Sequence, residues 1–237
     1  MNINFCVVLP IYNEQECLET CIRNIAKYLE KIEGRTGIIA VDDGSTDNSK
    51  DILISLQAQI PNLLLIFHEQ NQGYGGANRT AAIAAHQNNF EYALVMDSDG
   101  TQSVEYIGNF IKPMREGKDF IKATRYSKGG KVIDVHWKRV WISRIGNRLA
   151  RFFIDVPLSD FTNGFRAIKT DLWVKLLTTE RGFESLIEEV YLAKKIGNIS
   201  FEEVPYVLTA RVEEGSVSKF TYSPEVYKRY AKYLFKK

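Results

Sequence analysis

The chain has 237 residues, of which 45% are hydrophobic and 25% charged, a balance typical of a folded globular protein. A formal net charge of only +2 excludes a general electrostatic affinity for nucleic acid. The longest apolar runs, such as LLLIF at 63–67, are far shorter than the ~20 residues of a membrane span. Residues 1–9 read as a strand rather than as a signal peptide, so we expect a cytoplasmic protein. The cysteines, Cys6, Cys17 and Cys21, match no disulfide framework and are expected to be reduced thiols.

Apolar strands alternate with helices in the first hundred residues. The predicted strands are residues 3–9, 37–41, 63–67 and 92–96. Pro10 is expected to end the first strand, and Asn13 with Glu16 is expected to form a capping box that opens the first helix. Further helices are predicted from about Asp47 and over the alanine-rich residues 80–86, which follow a glycine-rich turn. Because the strands lack polar alternation, we predict an α/β fold whose mostly parallel sheet carries helices on both faces.

The second half of the chain is less regular. We predict a helix at 104–115, a strand at 119–124, a loop at 127–136, helices at 138–154 and 184–196, and a strand at 201–208. No repeat, low-complexity tract or linker divides the chain, so we expect a single domain over residues 1–237.

Four polar segments follow the four predicted strands of the first half. They are LPIYNE (9–14), VDDGSTD (41–47), NQGYGGANR (71–79) and MDSDG (96–100). In such sheets ligands bind beyond the carboxyl ends of the strands, so these segments are expected to share one edge. Asp97 and Asp99 would point the same way along an extended segment, and two converging carboxylates suit Mg²⁺ or Mn²⁺ held partly by substrate phosphates. Each segment alone is more typical of an ordinary turn. No Gly-x-Gly-x-x-Gly follows the first strand, which counts against a dehydrogenase.

Taken in order, these four segments resemble the nucleotide-binding half of the family-2 inverting glycosyltransferases, which have the GT-A fold. The resemblance implies a nucleotide-binding half at 1–100, an acceptor-binding half at 101–220 and a tail at 221–237. It implies that the nucleoside is bound by Pro10, Tyr12, Glu14 and Asp42. It also implies that Asp97 and Asp99 bind the metal and the diphosphate of a GDP- or UDP-sugar, with Asp99 essential for catalysis.

Segments of the second half resemble the dolichol-phosphate mannose synthase group, which transfers a sugar to a polyprenyl phosphate. They are ATRYSKGG (123–130), SDFTNGFRA (159–167) and EVPYVLTARVEEGSVSKF (203–220). The resemblance implies that the lipid phosphate is held by Arg125, Arg139 and Ser143, the two arginines being catalytic. It implies that the donor diphosphate is covered by Arg211, Ser218 and Lys219.

This sequence departs from the group pattern at several positions. The segment after the fourth strand leaves open whether Thr101 or Gln102 reaches the metal, and Tyr74 stands where a lysine is common. Asp160 and Arg166 are expected to pair, either to shape the site or as a structural salt bridge. Because a phosphate acceptor is already ionised, no general base is required. The glutamates of GFESLIEE, Glu184, Glu188 and Glu189, are therefore expected to be helix surface and supporting groups, with an unrecognised general base as the alternative.

Basic residues are concentrated in residues 127–153. Seven lysines and arginines face a single acid there, Asp134. Three arginines, Arg144, Arg148 and Arg151, fall on one face of the predicted helix, and the large apolar residues Trp141, Ile145, Leu149 and Phe152 fall on another. A helix of this kind suits the surface of an anionic bilayer, which predicts peripheral attachment to the cytoplasmic face of a membrane, directly or through a membrane-embedded partner. The alternative, nearly as strongly favoured, is that the apolar face packs on the core.

The leading hypothesis is therefore a metal-dependent transferase that moves a sugar from a nucleotide donor to a polyprenyl phosphate by direct displacement. A family-2 enzyme acting on a sugar hydroxyl in cell-surface polysaccharide synthesis is the closest alternative. A catalytically silent nucleotide-sugar-binding subunit is the alternative from another class.

Overall fold

The computed structural model describes residues 2–133, 135–209 and 224–235. Its main sheet contains β1 (Ile3–Ile11), β2 (Gly34–Asp42), β3 (Leu63–Phe67), β4 (Tyr92–Val95), β5 (Phe120–Thr124), β7 (Arg166–Lys169) and β8 (Phe201–Pro205). A small second sheet pairs β6 (Lys131–Val132) with β9 (Val207–Leu208). The helices are α1 (Leu18–Leu29), α2 (Ser49–Gln57), α3 (Tyr74–Gln87), α4 (Ile107–Arg115), α5 (Trp137–Ile154), α6 (Thr170–Trp173), α7 (Ser185–Ile196) and α8 (Pro224–Phe235), and a 3₁₀ turn (Val104–Tyr106) precedes α4.

The main sheet has the strand order β3-β2-β1-β4-β7-β5-β8. Only β7 runs antiparallel to its neighbours, β4 and β5, among the strand pairs of the described residues. The predicted α/β class with a mostly parallel sheet is therefore confirmed. The sequence pattern does not reveal β7, because this four-residue strand begins with an arginine and lies within a polar motif.

The sheet has a hydrophobic core on each face, and β1 contributes to both. Phe5 and Leu9 pack in the core beneath α1, α2 and α4, whereas Cys6 and Val8 pack in the core beneath α3, α5 and α7. Every one of these side chains is fully buried. The strand is apolar at successive positions because both of its faces are covered by helices.

The expectation that Pro10 ends the first strand is wrong, since β1 continues to Ile11 and Pro10 lies opposite Val41 of β2. On the other side of β1, β4 ends at Val95, which lies opposite Val8, so β4 does not extend as far as Pro10. The Pro10 carbonyl oxygen accepts a hydrogen bond from the Ser98 hydroxyl at 3.2 Å. The side of β1 on which Pro10 lacks an N–H therefore faces the loop after β4 and not a paired strand. Proline is tolerated there because no N–H is required for strand pairing.

The predicted capping box at Asn13 is also wrong, because α1 begins only at Leu18. Asn13 has a φ of 52°, and its side-chain oxygen accepts a hydrogen bond from the Thr46 N–H at 2.8 Å. Its own N–H donates to the Ser45 hydroxyl at 2.9 Å. An asparagine tolerates this left-handed conformation, and here it joins the first polar segment to the second instead of capping a helix.

The glycine-rich segment is helical earlier than predicted, because α3 begins at Tyr74. An ideal Cβ at Gly75 would lie 2.1 Å from the carbonyl oxygen of Glu180. Glycine at this position lets the first turn of α3 approach the chain that precedes α7. The predicted strand at 201–208 is in fact divided at Tyr206, on either side of which lie β8 and β9.

Candidate active site

A cavity of about 980 Å³ opens at the carboxyl ends of β1, β2 and β4. All four polar segments of the first half contribute to its wall, through Pro10, Tyr12, Glu14, Asp43, Asn71, Tyr74, Asp97 and Asp99. The second half contributes Arg125, Ser143, Thr162, Asn163, Phe183 and Tyr206. The sheet therefore brings together segments that are distant in the sequence, as the parallel topology predicts.

The two aspartates after β4 are each held by a neighbour in the same loop. Gln102 donates to Asp97 Oδ2 at 2.6 Å and accepts a hydrogen bond from the Asp97 N–H at 3.0 Å. The Thr101 hydroxyl donates to Asp99 Oδ1 at 2.6 Å, and the Thr101 N–H donates to the same oxygen at 3.0 Å. Thr101 and Gln102 thus orient the two carboxylates, and whether either reaches a metal stays a prediction.

The donor set of this loop fits a hard divalent cation. Two carboxylates lie on the wall of the cavity, and the described ranges contain no cluster of three histidine, cysteine or acidic side chains that could enclose an ion. Mg²⁺ is commonly bound by one or two carboxylates and completed by water and substrate phosphates. Asp97 and Asp99 therefore suit an ion that binds together with a diphosphate rather than a permanently enclosed structural ion.

The second polar segment places its two aspartates differently. Asp42, predicted to bind the nucleoside, is buried at the end of β2, accepts the Ser45 N–H at 3.3 Å and is not part of the cavity wall. Asp43 is on that wall, and its carboxylate accepts the N–H groups of Gln72 and Gly73, both at 2.8 Å. The sequence motif assigned no role to Asp43, although the doubled aspartate was visible in it.

Asp43 also belongs to a buried chain of hydrogen bonds. His68 Nδ1 lies 2.7 Å from Asp43 Oδ1, and His68 Nε2 lies 2.8 Å from the Thr80 hydroxyl. This chain links the ends of β2 and β3 to α3. It fixes the backbone of the third polar segment, which forms one side of the cavity.

Arg125 is held by a buried carboxylate beside the cavity. Its Nε lies 2.7 Å from Asp160 Oδ2 and its Nη2 lies 2.8 Å from Asp160 Oδ1, while Nη2 also donates to the Thr162 hydroxyl at 3.0 Å. Burial alone would raise the pKa of Asp160, but the charge of Arg125 lowers it below its usual range. Arg125 Nη1 has no hydrogen-bond partner in the described part of the chain, so one edge of the guanidinium is available to an anion.

The expected pair of Asp160 with Arg166 is wrong, because each has another partner. Arg166, only 1% exposed, forms a bidentate ion pair with Glu189 and donates to the Tyr74 hydroxyl at 3.3 Å. Glu189 also accepts the Trp173 indole N–H at 2.6 Å. Although Asp160 and Arg166 belong to one sequence motif, they enter separate buried networks.

Tyr74 is a wall residue that stands out in the sequence only as a departure from a common lysine. Its ring stacks on Phe183 with centroids 4.7 Å apart. An ideal Cβ at Gly164 would lie 2.7 Å from the Tyr74 hydroxyl and 3.2 Å from Asp97 Oδ1, so both groups border one small gap. Burial raises the pKa of Tyr74, and the phenol therefore stays protonated beside the carboxylate.

Ser143 lies on the cavity wall, and its hydroxyl is 2.7 Å from the Tyr126 hydroxyl. Arg139 lies one turn earlier in α5, but its side chain is outside the described part of the structure. Arg211, Ser218 and Lys219 also lie outside the described residues. Their predicted contacts with the donor and acceptor phosphates remain predictions.

The three glutamates near α7 are buried, so their expected place on the helix surface is wrong. Glu188 accepts the N–H groups of Thr179 and Glu180 at 2.8 and 2.9 Å. Glu184 pairs with Arg229 at 2.7 Å, and Glu189 pairs with Arg166. None of the three lines the cavity, and each instead supports the chain around it.

The apolar face of α5 does not pack on the core, contrary to the alternative that the sequence favoured nearly as strongly. Trp141 is 62% exposed, Ile145 52% and Phe152 78%. The buried face of this helix consists of other residues, among them Asn147 and Ala150. No helix in the described ranges is both long and apolar enough to cross a bilayer.

Comparison with known proteins gives a consistent assignment. The family described as glycosyl transferase family 2 matches residues 6–177. A polyprenol monophosphomannose synthase from Mycolicibacterium smegmatis is 27% identical over 91% of this chain and 80% of its own length. A dolichyl-phosphate hexose transferase from Haloferax volcanii is 26% identical over 90% of this chain and 86% of its own length.

Solved structures of glucosyl-3-phosphoglycerate synthase from Mycobacterium tuberculosis share the fold. A complex with Mg²⁺ and UDP has a TM-score of 0.65 at 19% identity, covering 91% of this chain and 73% of that one. A complex with Mn²⁺, UDP and phosphoglyceric acid has a TM-score of 0.66 at 19% identity, covering 91% and 72%. At this level of identity the likeness concerns the fold, and it confirms the expected GT-A architecture.

Proposed function

This chain belongs to glycosyl transferase family 2 and is a glycosyltransferase, and we propose that it transfers a hexose of the mannose or glucose type to a polyprenyl phosphate, with inversion. The observation that carries the proposal is one cavity whose wall carries two chemically distinct pairs of residues. Asp97 and Asp99 lie on its wall, and so do Arg125 and Ser143. The first pair suits a cation with a diphosphate, and the second pair suits a separate phosphate. The names of the two relatives reported above, a polyprenol monophosphomannose synthase and a dolichyl-phosphate hexose transferase, support a polyprenyl phosphate acceptor.

The donor is a GDP- or UDP-sugar in this proposal. Pro10, Tyr12 and Glu14 bind the nucleoside, with Asp43 in place of the buried Asp42 as the aspartate on the cavity wall. The late residues Arg211, Ser218 and Lys219 cover the diphosphate. Asp97 and Asp99 hold Mg²⁺ or Mn²⁺, which when bound offsets the negative charge that develops on the leaving nucleoside diphosphate. Gln102 and Thr101 keep these carboxylates oriented before any ligand arrives, so little reorganisation is required at the moment of reaction.

The acceptor is the ionised phosphate of the lipid. Asp160 binds one edge of the Arg125 guanidinium through Nε and Nη2, leaving Nη1 to bind a phosphate oxygen together with Arg139 and Ser143. A phosphate oxygen is a nucleophile without losing a proton, so positioning is the main requirement. The buried, hydrogen-bonded state of Glu184, Glu188 and Glu189 supports this mechanism, because none of them is a base on the cavity wall.

The acceptor chain must reach the cavity from a bilayer. The exposed apolar residues of α5, which include Trp141 and Phe152, support attachment of this helix to the cytoplasmic face of a membrane, directly or through a membrane-embedded partner. Because Ser143 of the same helix lies on the cavity wall, the membrane would lie close to the acceptor end of the site.

A donor panel tests the proposal. GDP-mannose, UDP-glucose and UDP-N-acetylglucosamine carrying a radiolabelled sugar are incubated with polyprenyl phosphate, with Mg²⁺, with Mn²⁺ or with a chelator. We expect label in an organic-extractable, acid-labile lipid, dependent on the metal and lost in Asp99→Asn with the fold retained. Label that enters only oligosaccharide would instead indicate the hydroxyl-directed reaction. Absence of turnover with any donor and acceptor would indicate a silent nucleotide-sugar-binding subunit.

A further inference from the structure

We propose that a second, basic cleft next to the candidate active site binds the phosphate of an anionic phospholipid. This cleft has a volume of about 560 Å³. It is lined by Arg125, Tyr126, Gly130, Arg144, Asn147, Arg148, Arg151 and Ser159. Of these residues, the proposed sugar transfer uses only Arg125. The proposal shares with the proposed function only the contact with a membrane and does not depend on transferase activity.

Among the residues that the structure describes, no acidic side chain balances the charge of the three arginines in the cleft. Arg144, Arg148 and Arg151 are exposed, and none of them forms an ion pair with a residue in the described ranges. The carboxylates that contact other lining residues are already engaged, since Asp160 is paired with Arg125 and Glu203 accepts the Ser159 hydroxyl at 2.9 Å. Arginine forks match the oxygens of a phosphate and bind it in preference to a spherical anion.

The cleft adjoins the part of the large cavity assigned to the acceptor, and Arg125 lines both spaces. Arg144, Arg148 and Arg151 line only the cleft, whereas Ser143 lines only the cavity. Tyr126 borders both spaces. Its ring centroid lies 5.1 Å from the guanidinium carbon of Arg125 and 5.7 Å from the guanidinium carbon of Arg144. Its hydroxyl forms a hydrogen bond with the Ser143 hydroxyl. One helix, α5, therefore presents two phosphate-binding faces divided by a fixed aromatic ring.

The neighbouring side chains indicate a membrane as the source of the phosphate. Trp141, Ile145 and Phe152 of α5 are more than half exposed. Ile145 and Phe152 each follow an arginine that lines the cleft, and Trp141 lies three residues before Arg144. Arginine and tryptophan together are typical of a helix that lies in the headgroup region, with the apolar side chains entering the acyl boundary. A phospholipid headgroup at the cleft would hold α5 on the membrane while the acceptor lipid occupies the adjacent cavity.

The test measures vesicle binding without donor or acceptor. Flotation is compared for vesicles of phosphatidylcholine alone and vesicles that also contain phosphatidylglycerol. The double variant Arg148→Gln/Arg151→Gln removes two cleft charges, and Lys112→Gln/Arg115→Gln removes two exposed charges from α4 as the matched control. Each basic residue near an anionic surface changes partitioning roughly five-fold, so we expect the cleft variant to lose about 10- to 30-fold and the control less than about three-fold. Equal losses in the two variants would show diffuse attraction and overturn the site.

Two further measurements distinguish the proposal from two alternatives, a soluble phosphate ligand and a role of these arginines in the acceptor site. Titration with inorganic phosphate or glycerol phosphate is expected to show only weak binding, and tight binding that the cleft variant abolishes would mean a soluble phosphate ligand instead. The cleft variant is also expected to keep wild-type transfer to detergent-solubilised polyprenyl phosphate. Loss of that transfer with vesicle binding intact would assign the arginines to the acceptor site. If the wild type transfers no sugar at all, the vesicle comparison still decides this proposal.

Discussion

Lys122 is expected to make the stability of this protein depend on pH in the neutral to alkaline range. Its side chain is fully buried in β5, and its ammonium group donates to the carbonyl oxygen of Asn163 at 2.6 Å. Burial, followed by the charge of Arg166, lowers the pKa of Lys122 to about 7 from an ordinary value of 10.5. The nearby carboxylates of Asp160 and Glu189 oppose this shift but are themselves paired with arginines.

The magnitude follows from linkage between protonation and folding. Between pH 7 and pH 10.5 the lysine is neutral in the folded chain and charged in the unfolded chain. The unfolded state therefore binds more protons, and stability rises with pH throughout this window by about 1.4 kcal/mol per pH unit. The full shift corresponds to roughly 5 kcal/mol of destabilisation, which is present below pH 7 and absent above 10.5.

Urea unfolding of wild type and Lys122→Met, measured from pH 6 to pH 9.5, tests this reasoning. Methionine fills a similar volume and does not titrate. The difference in unfolding free energy between the two proteins should therefore be constant near pH 6. Above pH 7 the wild type should become steadily more stable relative to Lys122→Met as the pH rises. The lost hydrogen bond to Asn163 adds a constant offset and leaves the slope unchanged. A difference independent of pH over this range would mean that Lys122 stays protonated in the fold, and the argument from burial would be refuted.

Three further substitutions probe the site. Asp160→Asn should destabilise the fold by about 3–5 kcal/mol in urea unfolding, because Arg125 would be left as a buried charge without its carboxylate. Tyr74→Phe keeps the aromatic ring and removes the hydroxyl beside the candidate metal loop, so kcat should fall roughly 10-fold or more. The buried Arg166 also loses a hydrogen-bond acceptor, so stability should fall by about 1–3 kcal/mol. Thr101→Val removes the hydroxyl that orients Asp99, so the metal concentration required for half-maximal activity should rise roughly 10- to 100-fold.

Each of these predictions has a distinct contrary outcome. Wild-type stability in Asp160→Asn would show that solvent or another group compensates Arg125. An unchanged kcat in Tyr74→Phe would limit the tyrosine to structural contacts with Phe183 and Arg166. Thr101→Val should be compared with Ser103→Ala in the same loop, since the Ser103 hydroxyl contacts Glu105 and not an aspartate. Equal metal dependence in both variants would contradict the orienting role of Thr101.

The order of the elements in the first half and the edge where the polar segments meet could be predicted from the sequence, because both follow from local patterns. Uninterrupted apolar strands between amphipathic helices require a sheet covered on both faces, and the loops after such strands must share one edge. The strand pattern alone therefore predicts that Asp97 and Asp99 lie on a common cavity wall, and they do lie there in the folded chain.

Pairing between distant side chains was decided only by the tertiary structure. Asp160 and Arg166 lie in one motif, yet the antiparallel insertion of β7 between β4 and β5 carries Arg166 toward Glu189 and leaves Asp160 to Arg125. The burial of a charge is likewise invisible in a local pattern, since it depends on which elements cover the residue. A charged side chain in a sequence looks solvated by default, whereas in this fold Lys122 and Arg166 lie inside because the sheet and its helices enclose them, and their partners come from elements far along the chain.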